Sequence, residues 1–180
     1  HVVDVSEHGV EPGTDDDVGA FIEEHFDRQG EGRSVVYYLP EGTYAWNTAV
    51  DAESFNVFGL VGKPQARVRC TNPEMPFFLR LGRPSVEDND VFVAENVTFD
   101  IDTAGVAASA IIASVDDYLS IDNCTLVGRM DRNYGYVYSI HPTLLSTTGR
   151  GYLNVAMPDG SFYDPSLREP IDIRIRLPDS

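Results

Sequence analysis

Lysine is almost missing from this chain of 180 residues: among 13 basic side chains only Lys63 is lysine, and they face 29 Asp and Glu. The formal net charge of −16 leaves no basic stripe for phosphate contacts, which excludes a nucleic-acid-binding domain. An acidic, lysine-poor surface is what a protein held in molar salt carries, where the Debye length falls to ~3 Å and self-repulsion is screened. A halophilic setting is therefore expected. The alternative, an ordinary acidic surface, leaves the missing lysines without a reason.

Cysteine is scarce as well. Cys70 and Cys124 are too few for a disulfide framework or a four-ligand zinc site. Both sit in apolar, strand-like contexts that suit two buried free thiols, with a single bridge left open if their strands stack. Long hydrophobic runs are absent, and no segment approaches the ~20 apolar residues of a membrane-spanning helix. No leader pattern opens the chain; His1-Val2-Val3-Asp4 reads as mature or trimmed protein, which is compatible with export. Intrinsic disorder is excluded by a 42% hydrophobic content spread along the whole length. The length suits one domain over 1–180, able to bury roughly 70% of its unfolded surface.

The first organised segment is Gly13-Thr14-Asp15-Asp16-Asp17-Val18, followed by Phe21, Ile22, His25 and Phe26 at helical spacing. Thr14 is placed to cap a helix over about 15 to 28, with Asp15, Asp16 and Asp17 facing the positive end of its dipole. Three consecutive Asp also suggest a cation site. Helical geometry sends neighbouring side chains about 100° apart, however, so capping is the preferred reading and no metal is expected.

Beyond Gly32 the pattern turns to short segments rich in Val, Tyr, Phe and Ile, separated by Gly, Pro, Asn and Asp. Strands are predicted at 35–39, 55–61, 66–70, 77–81, 91–101, 109–115, 118–127, 134–140, 151–157 and 171–177. One helix among so many strands argues against a doubly wound α/β sheet and for an all-β sandwich, barrel or solenoid.

An internal repeat decides among these. Val-Phe-Val-Ala-Glu-Asn-Val-Thr-Phe-Asp at 91–100 aligns with Tyr-Leu-Ser-Ile-Asp-Asn-Cys-Thr-Leu-Val at 118–127. In both copies the period-two alternation slips by one at the asparagine: Phe92 and Ala94, then Val97 and Phe99; Leu119 and Ile121, then Cys124 and Leu126. A strand that ran on unbroken would send the two pairs to opposite faces. A bend at Asn96 and Asn123, a residue that tolerates left-handed backbone, returns both pairs to one interior. Stacking the copies would place the two amides in a ladder. The same residues open the glycosylation sequons Asn96-Val97-Thr98 and Asn123-Cys124-Thr125, but a position at a strand bend favours the structural role.

Asp4-Val5-Ser6-Glu7-His8-Gly9-Val10, then Gly13-Thr14-Asp15-Asp16, then the helix, then Leu39-Pro40-Glu41-Gly42-Thr43-Tyr44, follow an order that resembles the N-terminal opening of the pectate-lyase-like superfamily. Polygalacturonase-type and phage-tailspike-type proteins belong to it. The Asn-Val-Thr-Phe and Asn-Cys-Thr-Leu segments are similar to its repeating coils. The resemblance covers about the first 45 residues, with support to about 128. It implies an all-β, right-handed parallel β-helix with one N-terminal capping α-helix: residues 1–33 as opening and cap, 34–180 as coils. It further implies a carbohydrate-facing superfamily, but not an activity.

For catalysis the candidates are Asp116 and Asp117, which resemble the paired-Asp coil of the superfamily's hydrolases. Adjacent strand residues project to opposite faces, so a third carboxylate such as Asp100, Asp102 or Asp122 would be needed. No Asn-Thr-Asp precedes Asp116 and no Gly-His-Gly follows Asp117, and a solvated turn is the preferred reading. A lyase would call for Ca²⁺ and a base; otherwise no cofactor is expected. Arg174 and Arg176 share one face of a C-terminal strand and suit carboxylate binding or ion pairing with the acidic surface. For binding, Tyr134, Tyr136 and Tyr138 fall at spacing two, a platform for sugar rings if exposed and sheet packing if buried. His141 and Trp46 would extend it.

The expectation is an extracellular, cell-surface or virion module in a halophilic setting that binds or adheres to polysaccharide or cell-surface glycan. The alternatives are a glycoside hydrolase or polysaccharide lyase, and a purely structural fibre or spike component. With room for only a few coils, the chain would be part of a longer protein or would meet a partner at its open end, as in a homotrimer.

Overall fold

Alternation of buried and outward side chains, row upon row, organises the molecule. The computed structural model describes residues 1–30, 32–82, 89–101, 109–115, 118–128, 136–140, 152–154 and 171–177. Strand β1 (Val2–Asp4) leads through a 3-10 turn (Val5–His8) to helix α1 (Val18–Asp27). Then follow β2 (Ser34–Ala45), β3 (Val50–Ala52), β4 (Phe55–Arg69), β5 (Phe77–Leu81), β6 (Asn89–Ile101), β7 (Ser109–Val115), β8 (Tyr118–Gly128), β9 (Tyr136–Ile140), β10 (Tyr152–Asn154) and β11 (Ile171–Leu177).

From β2 to β9 the strands fall alternately into two sheets. The larger has the order β1-β2-β4-β6-β8-β11 and the smaller β10-β9-β7-β5-β3. Pairing is parallel from β1 through β8 and from β3 through β9, whereas β11 runs antiparallel to β8 and β10 antiparallel to β9.

The expectation of an all-β, right-handed parallel β-helix is overturned. The described residues show no closed solenoid; they show two mixed sheets and an α-helix around one core, with strand direction reversing at the far edge of each sheet. The physical reason lies in what the repeat constrains. A matching pair of strands specifies which neighbours stack in one sheet, but not how the sheets close. Moreover, the stacking is interrupted by register shifts between Pro40 and Gly42 and between Val61 and Ala66.

The helix is shorter than its sequence pattern suggests, and its cap is Asp17 rather than Thr14. Asp17 holds extended backbone and its Oδ1 accepts from Ala20 N at 3.2 Å. It also accepts from Asn47 N at 3.0 Å, while Oδ2 accepts from the Thr48 hydroxyl at 2.7 Å. One carboxylate thus caps the helix and ties it to the segment between β2 and β3, a tertiary gain that Thr14 cannot match. Thr14 instead closes its own turn: its hydroxyl donates to Glu11 O at 2.8 Å and accepts from Asp16 N at 3.2 Å. Asp15 is exposed beyond the cap.

Val18, Ile22 and Phe26 are buried along one face of α1, at the helical spacing of an apolar stripe. They join Val3, Tyr37, Trp46, Val50 and Phe58 in a core that both sheets line. Trp46 is fully buried, which removes it from any surface platform. Its ring meets α1 at Gly19, where an added Cβ would lie 2.5 Å from the indole nitrogen. Glycine is required there because the helix packs on the indole at backbone distance.

Asn96 and Asn123 adopt left-handed backbone, φ 57° and 50°, and the alternation slips at both as expected. Phe92, Ala94, Val97 and Phe99 are all buried, as are Ile121 and Cys124. The neighbouring strand β4 turns the same corner with Gly62-Lys63-Pro64-Gln65 between buried Leu60 and Ala66. Gly62 is needed because an added Cβ would strike the carbonyl oxygen of Asn96.

Candidate functional surface

The inward rows of the larger sheet leave a complementary set facing out. Before the asparagine bend these outward rows are Ser34-Val57-Val91, Val36-Gly59-Val93 and Tyr38-Val61-Glu95-Asp122, each in direct register; Ser120, which continues the middle row on β8, is buried. Val36, Val57, Val61, Val91 and Val93 are partly exposed, so five aliphatic side chains form a contiguous facet. The facet is shallow at Gly59, over which Val36 folds; an added Cβ at Gly59 would lie 2.9 Å from a Val36 methyl.

Polar groups border this strip on the side of the bend. Glu95 and Asp122 sit opposite each other on β6 and β8, both partly exposed. The Lys63 ammonium lies 3.6 Å from the centre of the Tyr38 ring, so the single lysine of the chain caps the aromatic end of the same row. The facet therefore offers apolar area, two carboxylates as hydrogen-bond acceptors and one ammonium as donor. β-branched residues were legible here as strand formers; their grouping on one exposed facet was not, because it depends on the register of three strands.

A second cluster lies where α1 meets the N-terminal segment. The His25 ring is ringed by His1 at 6.1 Å, His8 at 5.8 Å, Phe21 at 5.5 Å and Tyr37 at 5.5 Å between centroids. Its Nδ1 lies 2.8 Å from the Tyr37 hydroxyl. Partial burial, and the positive charge of His8 and Arg28, hold the His25 imidazole below its ordinary value. Burial pushes the Tyr37 phenol well above its ordinary range.

A third cluster joins α1 to the smaller sheet. Glu23 Oε2 accepts from Asp51 N at 2.8 Å, and Asp51 is paired with Arg80, whose guanidinium lies over Phe77. Desolvation, reinforced by Asp51 and Asp27, raises the Glu23 carboxyl above its ordinary value. Among the described residues no group of three His, Cys, Asp or Glu is placed to hold a metal ion.

The sequence-derived candidates scatter. Asp116, Asp117, Tyr134, His141 and Asp102 lie outside the described residues. Tyr136 and Tyr138 are on β9, in register with Ile111 and Ala113. The row that Tyr136 joins by register, Val50-Leu79-Ile111, is buried at all three of those members. Asp100 is buried with Arg67 Nε 3.7 Å away, and Asp122 stands in the row of Glu95. Arg176 is in register with Ser120 on the larger sheet, while Arg174 falls at a register shift.

Asn123 Nδ2 donates to Asn96 Oδ1 at 2.9 Å and lies 3.2 Å from Gln65 Oε1. Both cysteines are free and buried. Burial raises both thiols, that of Cys124 to about 12, so neither is a nucleophile near neutral pH.

Compared with protein-family models, with curated proteins and with solved structures, the chain matches none. No helix among the described residues is long and apolar enough to cross a membrane.

Proposed function

We propose that this chain is a surface recognition module for neutral glycans, working in molar salt at an extracellular, cell-surface or virion location. The observation that carries the reading is the facet of the larger sheet, where five partly exposed valines adjoin Glu95, Asp122, Lys63 and Tyr38. Sugar rings present apolar C–H faces ringed by hydroxyls. An aliphatic strip flanked by carboxylate acceptors and an ammonium donor complements that pattern. Molar salt mutes the long-range repulsion between a chain of net charge −16 and a polyuronate, so the choice of uncharged polymers rests on Glu95 and Asp122, whose carboxylates border the facet at contact range.

The test is retention on a panel of neutral and acidic polysaccharides in molar NaCl, with and without Ca²⁺, while new reducing or unsaturated ends are followed. Retention by neutral polymers without products, lost in Val93→Asp and kept in the exposed-loop control Thr71→Ala, is the expected result. Product formation would replace the module with a glycoside hydrolase or lyase. No retention on any polymer would leave a structural component of a larger assembly.

A further inference from the structure

We propose that the His25–Tyr37 contact is an acid-sensitive latch on the seam between helix α1 and the N-terminal segment, residues 1–10. Tyr37 is fully buried, and its hydroxyl has His25 Nδ1 as hydrogen-bond partner at 2.8 Å. Only one protonation state of the imidazole satisfies that hydroxyl as a donor: neutral, with the proton on Nε2 and the Nδ1 lone pair accepting. Once Nδ1 is protonated it must donate to the phenolic oxygen, and the phenolic hydrogen is left buried without its acceptor. Such a group carries the desolvation cost of an unmade hydrogen bond.

The surroundings act in the same direction. His1, His8 and His25 come from three different stretches of chain, before β1, in the 3-10 turn and in α1, and their rings meet around Phe21 and Tyr37. The charged and titratable groups on the packed elements, besides His25, are His1, Asp4, Glu7 and His8 on the N-terminal segment, Tyr37, Tyr38, Glu41 and Tyr44 on β2, and Glu23, Glu24, Asp27 and Arg28 on and just after the helix. Asp4 is engaged with the Ser6 hydroxyl and backbone, and Asp27 lies 3.8 Å from Arg33. Glu24 and Arg28 lie 3.7 Å apart on the solvent side, both largely exposed. His8 and Arg28 are the groups whose charge opposes a proton on His25.

Protonation therefore reverses the bond that ties α1 to β2, leaves the buried phenolic hydrogen without its acceptor, and sets the His25 charge against that of His8 on the N-terminal segment and Arg28. The seam is the part of the fold that responds, because β1 adds only three residues to the sheet edge and the 3-10 turn rests on α1 through His8. Because an unsatisfied buried phenol is not screened by ions, the response persists in molar salt. Nothing in this inference depends on the proposed glycan reading.

The experiment is an imidazole NMR titration of the intact chain, wild type and Tyr37→Phe, combined with amide hydrogen exchange at about pH 5 and pH 7.5 corrected for intrinsic rates. His25 is expected to titrate below 6.5, and Tyr37→Phe to move it upward. Amides of Val2 to His8 should exchange faster at the lower pH, by roughly tenfold if His25 is depressed by one unit, while those of β6 hold. A His25 that titrates at or above 6.5, an unchanged value in Tyr37→Phe, or acceleration spread evenly over β6 would each overturn the latch. Should Tyr37→Phe fail to fold, His8→Gln supplies the second test: it must raise the His25 titration point, and no change refutes the proposal.

Discussion

The side-chain amide of Asn123 donates to Oδ1 of Asn96 across 2.9 Å, and both residues hold the left-handed backbone that turns their strands. Bend and amide contact reinforce each other: stacked strands that turn at the same point bring the two side chains together, and the hydrogen bond holds the turn in register.

Replacing Asn96 or Asn123 by alanine should destabilise the fold by about 1–3 kcal/mol, combining left-handed strain with loss of a hydrogen bond. Glycine at either site relieves the strain and should cost less than alanine. Urea denaturation of the four variants checks the order; glycine worse than alanine would sink the account.

Asp17→Ala should be the most damaging change in the Thr14-Asp15-Asp16-Asp17 run. It removes the cap of α1 together with bonds to Asn47 and Thr48, a loss of about 2 kcal/mol or more. Asp15→Ala, at an exposed position beyond the cap, should fall within about 0.5 kcal/mol of wild type. Thermal unfolding at fixed pH and salt compares them, and equal effects would deny Asp17 its capping role.

Gly19→Ala forces a methyl group against Trp46, and overpacking of that kind costs about 1–3 kcal/mol. The single tryptophan reports on the same site, so a shift in its fluorescence should accompany the drop in stability. A neutral substitution would show that α1 can back away from the indole.

Glu23 should give a stability change of opposite sign to that of an ordinary paired carboxylate. Its folded-state value is raised, so the ionised form is disfavoured in the native state. Stability from this residue is present below its ordinary value of 4.5 and is lost as pH rises through the raised folded value. Glu23→Gln keeps an acceptor for Asp51 N and removes the charge; it should be neutral or stabilising at pH 7 and lose that advantage at about pH 4. Melting curves at the two pH values decide it.

Salt should stabilise the whole chain. With a net charge of −16 concentrated on a 180-residue surface, self-repulsion weakens as the Debye length falls from ~10 Å at 0.1 M to ~3 Å at 1 M. The unfolding midpoint is expected to rise from dilute buffer to molar NaCl and to rise less in KCl-free low-salt buffer supplemented with sucrose. A flat salt response would remove the halophilic reading.

Much of the local structure was readable residue by residue. The alternation slip at Asn96 and Asn123, the single amphipathic helix with Ile22 and Phe26 inward, and two buried thiols each follow from short-range rules that a linear pattern carries. Left-handed backbone at asparagine is a property of the residue itself, and the repeat supplies its partner.

Tertiary structure alone decided the rest, because the deciding contacts join residues far apart in the chain. Asp17 outcompetes Thr14 as cap by reaching Asn47 and Thr48, which no helix rule contains. Tyr136, spaced like a binding platform, belongs to the row of Val50, Leu79 and Ile111 because register assigns it there. The antiparallel β10 and β11 convert an expected solenoid into two mixed sheets, since strand direction is set by the connections and not by the strand's own residues. The valine facet and the imidazole cluster have the same origin: each gathers side chains that sequence separates and packing brings together.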